Sequence, residues 1–526
     1  MKPLYTFLTV VALVWASQAQ AQFQNILVGN MNSPQEPSIM INPKNVAQMV
    51  AGANMNNVYV STDTGNTWQH QILSSTYGVW GDPVIVVDTT EDFYFLHLSA
   101  PSNSYLAPDW LDRIVCQRLD TINGMWNNGS FTGLNGTADQ DKEWAVVDRK
   151  TNTIYMTWTQ FDLYGSTNPF DSSVILFSKT TDKANTWSTP VRINQVAGIC
   201  LDDDATVEGA VPAVGPNGEV YVCWTGPAGI RFDRSLDGGQ TWLENDIHVA
   251  DMPGGWDFNV PGIYRCNGLP FMSCDLSGGP NHGTIYINWS DQRNGTNNTD
   301  VWLAKSTDGG NTWSAPIMVN NDNTITAHQF FNSMTIDQSS GYLYFVFYDR
   351  RNHTNNQTDV YMAYSTDGGA TIHNRKISAS PFTPLSTVFF GDYTYISAHN
   401  GVIRPIWGRM NGGALSIWTA KVDTASLFQF PAAIEDVKVE LGESYPNPFY
   451  ETTFLSFKMK EQANVQLDVM DLYGRKITTI LNNELLGHGK HTYQFKATDF
   501  DLSPGIYFFH LRVGNQVKTR KIVLAN

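Results

Sequence analysis

Cations are scarce in this 526-residue sequence: 33 lysines and arginines face 49 aspartates and glutamates, for a formal net charge of −16. That balance excludes nucleic acid and anionic membrane surfaces as general partners, but not a small anionic ligand held by local arginines. Cysteine is also sparse, with five residues in all. Their positions, 116, 200, 223, 266 and 274, show no zinc-site spacing. The odd number leaves at least one thiol unpaired, and Cys266 with Cys274 is the expected local bridge. No HExxH pair, phosphate-binding glycine loop or Gly-x-Ser-x-Gly elbow occurs. The acidic run Asp202-Asp203-Asp204 lacks EF-hand spacing and reads as a solvated loop. Neither a metal nor a cofactor is expected. Long helical periodicity is missing, while 42 glycines, 24 prolines and 12% aromatics suit short strands joined by turns. An all-β class follows.

Beyond the beginning of the chain no apolar run approaches the roughly 18 residues that a membrane span requires, so no transmembrane segment is expected. Residues 1–21 read as a secretory signal: Lys2, an apolar stretch from Leu4 to Trp15, and Ala19-Gln20-Ala21 as the cleavage site.

What the chain does have is a recurring phrase. Its cleanest copy is Ser306-Thr307-Asp308-Gly309-Gly310-Asn311-Thr312-Trp313. Further copies start at Ser61, Ser235 and Ser365, and a worn one at Thr180. The Asp can accept hydrogen bonds from its own turn, Gly permits positive φ, and Trp covers the turn with apolar surface. Between copies, strands recur in order: Ser38–Ile41, then Asp82–Val87 with Phe93–His97, Glu143–Val147 with Ile154–Trp158, and Glu208–Val211 with Val220–Trp224. Asp291–Ser306 and Asp349–Ser365 are near copies of each other. The last unit, Asp392–Ile396, Ile403–Trp407 and Leu415–Trp418, offers three strands, and Asn25–Val28 can supply the fourth. Such repetition predicts a β-propeller of seven blades, or six if one unit is miscounted. From about Glu440 the pattern changes to period-two alternation, which predicts a small antiparallel β-sandwich. The expected domains are signal 1–21, propeller 22–428, linker 429–439 and C-terminal domain 440–526.

The C-terminal stretch, with Ser444-Tyr445-Pro446-Asn447-Pro448-Phe449, Asp471-Leu472-Tyr473-Gly474-Arg475-Lys476 and Ser503-Pro504-Gly505-Ile506-Tyr507, closely resembles the type A sorting domain of the type IX secretion system. The resemblance implies the type IX secretion machinery as a partner through residues 440–526. It also implies export through the periplasm and outer membrane to a secreted or cell-surface location. The recurring phrase resembles the Asp-box, or BNR repeat, of sialidase-like propellers. That resemblance implies boxes between the third and fourth strands of each blade, a pocket on the opposite face, and a glycan or polysaccharide substrate.

Residues preceding first strands or following second strands build that opposite face. Glu208-Gly209-Ala210-Val211 resembles the family segment whose glutamate polarises the nucleophile, and Gly391-Asp392-Tyr393 the segment that carries the tyrosine nucleophile. Glu208 and Tyr393 are therefore the catalytic candidates of a sialidase-like glycoside hydrolase acting on terminal sugars. Asp82, Glu143, Trp224, Arg293, Arg351, Asp392 and Arg409 are the substrate-binding candidates. The family's arginine triad is incomplete. Glu36-Pro37-Ser38 stands where its first arginine belongs, Trp224 stands for the second, and Asn54–Asn57 occupies the acid/base loop. Neither Glu nor Trp reproduces a bidentate guanidinium grip on a carboxylate. Two alternatives therefore stand beside hydrolysis: a propeller polysaccharide lyase, and a non-catalytic surface propeller that binds glycan or protein.

Overall fold

The computed structural model describes residues 23–526 except 121–123, 323, 430–438, 461, 473–474, 501, 514–515 and 526. The expected signal and nearly all of the expected linker lie outside the described residues. The chain is all-β and divides into two compact units, Met1–Leu427 and Phe428–Asn526.

The first unit is propeller-like. Among the described residues its strands form seven antiparallel sheets of four or five strands and one two-stranded ribbon, and six of the seven larger sheets are built from strands consecutive in the chain. Their first strands are, in sequence, Ser38–Ile41, Val84–Val87, Asp139–Asp148, Glu208–Val214, Phe271–Cys274, Gln329–Asp337 and Tyr395–His399. Each packs beside the first strands of the sheets before and after it, and that of the seventh sheet returns to that of the first. Side chains on these strands are mostly buried because a neighbouring sheet covers each face. The last three strands of the chain's repeat pattern gain their fourth from Gln24–Gly29, which pairs antiparallel with Ala414–Asp423. The two ends of the unit are thus held in one sheet.

The repeated phrase occupies the turn between the third and fourth strands. Asp308 accepts from the N–H and hydroxyl of Thr312 (3.0 and 2.6 Å) and from the Ser306 hydroxyl at 2.8 Å. These bonds favour the ionised form and hold the Asp63, Asp182 and Asp308 carboxyls down to about 2, against a small opposing effect of burial. Two successive left-handed residues make the bend, Gly309 and Gly310 at φ 70° and 88°, and in the worn copy Lys183 and Ala184. The turns also tie sheet to sheet. Trp313 meets Phe232 of the preceding sheet at 5.3 Å, and Trp242 meets Phe177 at 5.0 Å. The basic residue just before the phrase reaches the next sheet's turn: Lys179 donates to the Gly238 carbonyl, Arg234 to Gly309 and Lys305 to Gly368.

All five cysteines are free and buried, so the expected Cys266–Cys274 bridge is not formed. Cys266 lies in a two-residue strand paired with Asp257–Phe258, whereas Cys274 ends the first strand of the fifth sheet. In the second unit, strands Val439–Tyr445, Thr452–Met459 and Gly489–Lys496 form one sheet. A second sheet holds Lys476–Leu486, Ala463–Asp471, Gly505–Val513 and Gln516–Leu524. Alternate residues of both sheets share one apolar core that includes Phe449, Phe457, Leu467 and Phe509.

A Cβ added at Gly310 would lie 2.2 Å from the Phe232 ring on a left-handed backbone, whereas one at Gly136 would meet nothing within 4 Å. Gly310→Ala should therefore cost roughly 1–3 kcal/mol more than Gly136→Ala in denaturant unfolding. Equal costs would show that the turn does not clasp the neighbouring sheet.

Candidate functional site

The first strands converge at one end of the first unit, and the chain enters most of them through a strained residue. Glu36, Asp82, Lys142 and Phe331 hold φ near +50°, and Gly209 and Gly391 take the same hand with smaller penalty. Left-handed conformations at non-glycine residues cost about 1–3 kcal/mol each and persist where the surroundings impose them. Here they gather acidic side chains from different sheets around two cations.

Asp392, which precedes the first strand of the seventh sheet, stands at the centre. Lys142 Nζ donates to its Oδ2 at 2.8 Å and lies 3.2 Å from Asp82 and 3.7 Å from Glu36. Arg265 grips the same carboxylate with two nitrogens, Nε to Oδ1 at 2.8 Å and Nη2 to Oδ2, and reaches Asp202 at 3.1 Å. Glu36 accepts from the Asp392 N–H at 3.1 Å and from the Asn54 amide, whose oxygen accepts from the Asp82 N–H at 2.8 Å. The group ties together residues from at least four sheets and the ribbon that holds Arg265.

Burial alone would raise the Asp392 carboxyl, but Arg265 and Lys142 outweigh it and hold it well below the usual range. Lys142 stays charged for the reciprocal reason: burial disfavours its cation, and Asp392, Asp82 and Glu36 more than compensate. The other acids move the opposite way. Burial, then the charge of Asp82, raises Glu36 and pushes Asp141 up to about 7. Glu143 and Glu208 are also raised well above the carboxylate range, first by burial. Each is 1% exposed, and no donor reaches either oxygen of either residue among the described residues. The neighbour that adds most to the shift of Glu208 is Asp202, another acceptor, so a hydrogen bond between them requires Glu208 to keep its proton.

Of the residues expected at this face, Asp82, Glu143, Glu208, Asp392 and Tyr393 gather here. No contact joins Glu208 to Tyr393 among the described residues; they line adjoining cavities that share Asn267, Leu269 and Asp392. Glu208 lines a cavity of about 20 Å³ with Asp202, Asp257, Arg265 and Asp392, room for about one water. Tyr393 lines the adjoining cavity with Trp144, Phe271 and Asn332. Burial, then Asp82 and Glu36, raises the Tyr393 phenol well above its ordinary value, which disfavours the phenolate.

The second-strand candidates lie elsewhere. Arg293 bonds Asp291 at 2.9 Å and stacks over Trp302; Arg351 bonds Asp349 at 2.7 Å and stacks over Tyr361. Arg409 donates to Ser380 at 2.9 Å. Trp224 is buried in an apolar cluster with Ile175, Ile193 and Val207. The three arginines thus each bond locally, Arg293 and Arg351 to the aspartate two residues before them and Arg409 to Ser380. Lys142, Arg265, Glu36 and Asp202 join the axial cluster instead. For Lys142 the available signal was Asp141-Lys142-Glu143, a charged run at a strand start where a buried face was expected.

Residues 443–525 match the family of secretion-system C-terminal sorting domains. The sorting segment therefore marks the chain for export and for secretion or surface attachment. No curated protein matches the chain. Among solved structures it is similar to a Hadza microbial sialidase at 14% identity, covering 71% of this chain and 73% of that one, with a TM-score of 0.40. It is also similar to an ulvan lyase of polysaccharide lyase family PL25, at 11% identity over 78% and 99% of the two chains and a TM-score of 0.45. The third is an α-L-arabinofuranosidase from Fusarium graminearum, at 13% identity over 68% and 97% with a TM-score of 0.42. Likeness at this level says nothing of activity.

A buried acid whose carboxyl is raised destabilises the fold progressively as pH climbs past its unfolded value near 4.3, because the folded state must either hold the proton or bury a charge. Glutamine copies the protonated form. Glu143→Gln should thus gain thermal stability relative to the natural protein as pH rises from about 5 to 8. A difference that stays flat across that range would show Glu143 to be ionised and compensated.

Proposed function

We propose that this chain is an exported, carbohydrate-directed propeller of the sialidase-like Asp-box kind, which captures a glycan at the face where its first strands converge. In this reading the seven sheets are seven blades, the repeated turns are Asp-boxes on the opposite face, and residues 22–428 form the working domain. Residues 1–21 are a signal that is removed, 429–439 a linker, and 440–526 a β-sandwich handled by the type IX secretion machinery.

One observation carries capture over hydrolysis of acidic sugars: both cations at the axis are already paired with carboxylates, and the space beside them is water-sized. A sialate or uronate carboxylate meets no free guanidinium there, and bidentate recognition needs one. The same pairing weighs against a lyase that must neutralise a uronate.

A second reading, glycoside hydrolysis, draws support from Glu208. Burial and Asp202 raise its carboxyl while Arg265 and Lys142 hold that of Asp392, on the same cavity, below the usual range, and environments that push two carboxyls apart suit acid and base roles. In that reading Glu208 is the general acid. The roles suggested by the family resemblance, with Glu208 as base and Tyr393 as nucleophile, receive less support because no contact joins the two side chains among the described residues and they line adjoining rather than common cavities.

The purified protein incubated with neutral, amino, sialylated and uronate-containing glycans separates these readings. Capture predicts retention without products. Reducing-end release that Glu208→Gln abolishes by at least about a hundredfold would favour hydrolysis. Absorbance from a new double bond would favour a lyase. Neither retention nor product with any glycan would remove the carbohydrate reading.

A further inference from the structure

The cavity beside Glu208 has a chemical preference that its charges dictate. Four carboxyl groups line it, those of Asp202, Glu208, Asp257 and Asp392, against two cations, Lys142 and Arg265. Both cations are engaged, Lys142 with Asp392 and Arg265 with Asp392 and Asp202. Acid capacity is left over, and it is concentrated on Glu208, which is 1% exposed with no donor on either oxygen. An acceptor buried without a donor costs free energy until a donor arrives.

The space of about 20 Å³ admits a group the size of one water, which is also the size of a primary ammonium. An ammonium offers three donors and no acceptor, the complement of this wall. The mouth is not sealed, since the Arg265 side chain is 38% exposed and Asp257 is exposed. Beside it stands an aromatic surface. Tyr264 is 59% exposed and packs edge-on against Phe389 at 5.9 Å, and Phe389 lies beneath the Arg265 guanidinium at 5.1 Å. An open aromatic ring next to a hydrogen-bonding hole suits a sugar ring with one projecting polar group.

We propose that this site takes an amino sugar with a free amine, its ammonium entering the cavity between Glu208, Asp202 and Asp257 and its ring resting on Tyr264. On binding, Glu208 yields its proton to solvent and becomes the ammonium's counter-ion. The proposal rests on glycan capture at this face, and it inverts the charge of substrate that a sialidase-like resemblance implies. An N-acetylated amine is too large for the cavity and carries no charge, and a sialylated glycan brings a carboxylate toward surplus acid.

Calorimetric titration of the full exported chain with a β-1,4-linked glucosamine tetrasaccharide, its fully N-acetylated counterpart and sialyllactose tests this. The free amine should bind at least about tenfold more tightly than either other glycan, the scale of one charge-assisted hydrogen bond. Glu208→Gln, a copy of the protonated acid that should fold, should weaken it by a similar factor. Tyr264→Ala and Asp257→Asn, both at exposed positions, should each weaken it severalfold. Equal or tighter binding of the acetylated or sialylated glycan would overturn the amine preference while leaving capture standing. Binding of none of the three, together with no retention of any glycan in the wider set, would overturn both.

Discussion

The carboxylate of Asp392, held by Lys142 on one side and Arg265 on the other, is the contact on which the rest of the axial end depends. Lys142 comes from the third sheet, Arg265 from a ribbon between the fourth and fifth, and Asp392 from the threshold of the seventh. Through Lys142 the group reaches Asp82 and Glu36 at the entries of the second and first sheets. Beside this group, aromatic contacts also join the third, fifth and seventh sheets across the axis, where Trp144 meets Phe271 at 4.9 Å and Tyr395 at 5.6 Å. Removing one partner of such a buried set leaves uncompensated charge, at a cost of about 3–5 kcal/mol. The left-handed residues at Glu36, Asp82 and Lys142 are intelligible in this light, because they turn charged side chains inward at a position where a plain strand would send them toward a neighbouring sheet.

At the other end the same logic of joining sheets is carried by the repeated turn. Its aspartate organises the bend, its glycines let the chain pass close to an aromatic of the preceding sheet, and its tryptophan packs there. One end is held by dispersion and backbone hydrogen bonds, the other by charge.

Much of this was legible in the residues. Repetition located the sheets, and the three-strand remainder at the end of the repeat pointed to Asn25–Val28 as its partner. The acidic residues at strand entries, Asp82, Glu143, Glu208 and Asp392, converge because first strands line the axis. The arginines did not follow the same logic. Arg293 and Arg351 each sit two residues past an aspartate at the end of a second strand, and that local partner captures them. Arg265 has no counterpart in the repeat, since it lies between the fourth and fifth sheets, and Lys142 sits between Asp141 and Glu143, where only the acids were singled out. Glu36 marked a missing arginine when judged by resemblance, and in the structure it is a ligand for the cluster instead. Whether a charge is buried depends on long-range packing, which short spacing does not record.

The central claim is that Lys142 and Asp392 act as one unit. A double-mutant cycle with Lys142→Met, Asp392→Asn and the pair, measured by denaturant unfolding at neutral pH, tests it most directly. The account predicts a coupling energy above about 1.5 kcal/mol, with the double variant more stable than the sum of the single losses implies. Additivity within about 0.5 kcal/mol would contradict it, and would mean that the two charges are neutralised independently.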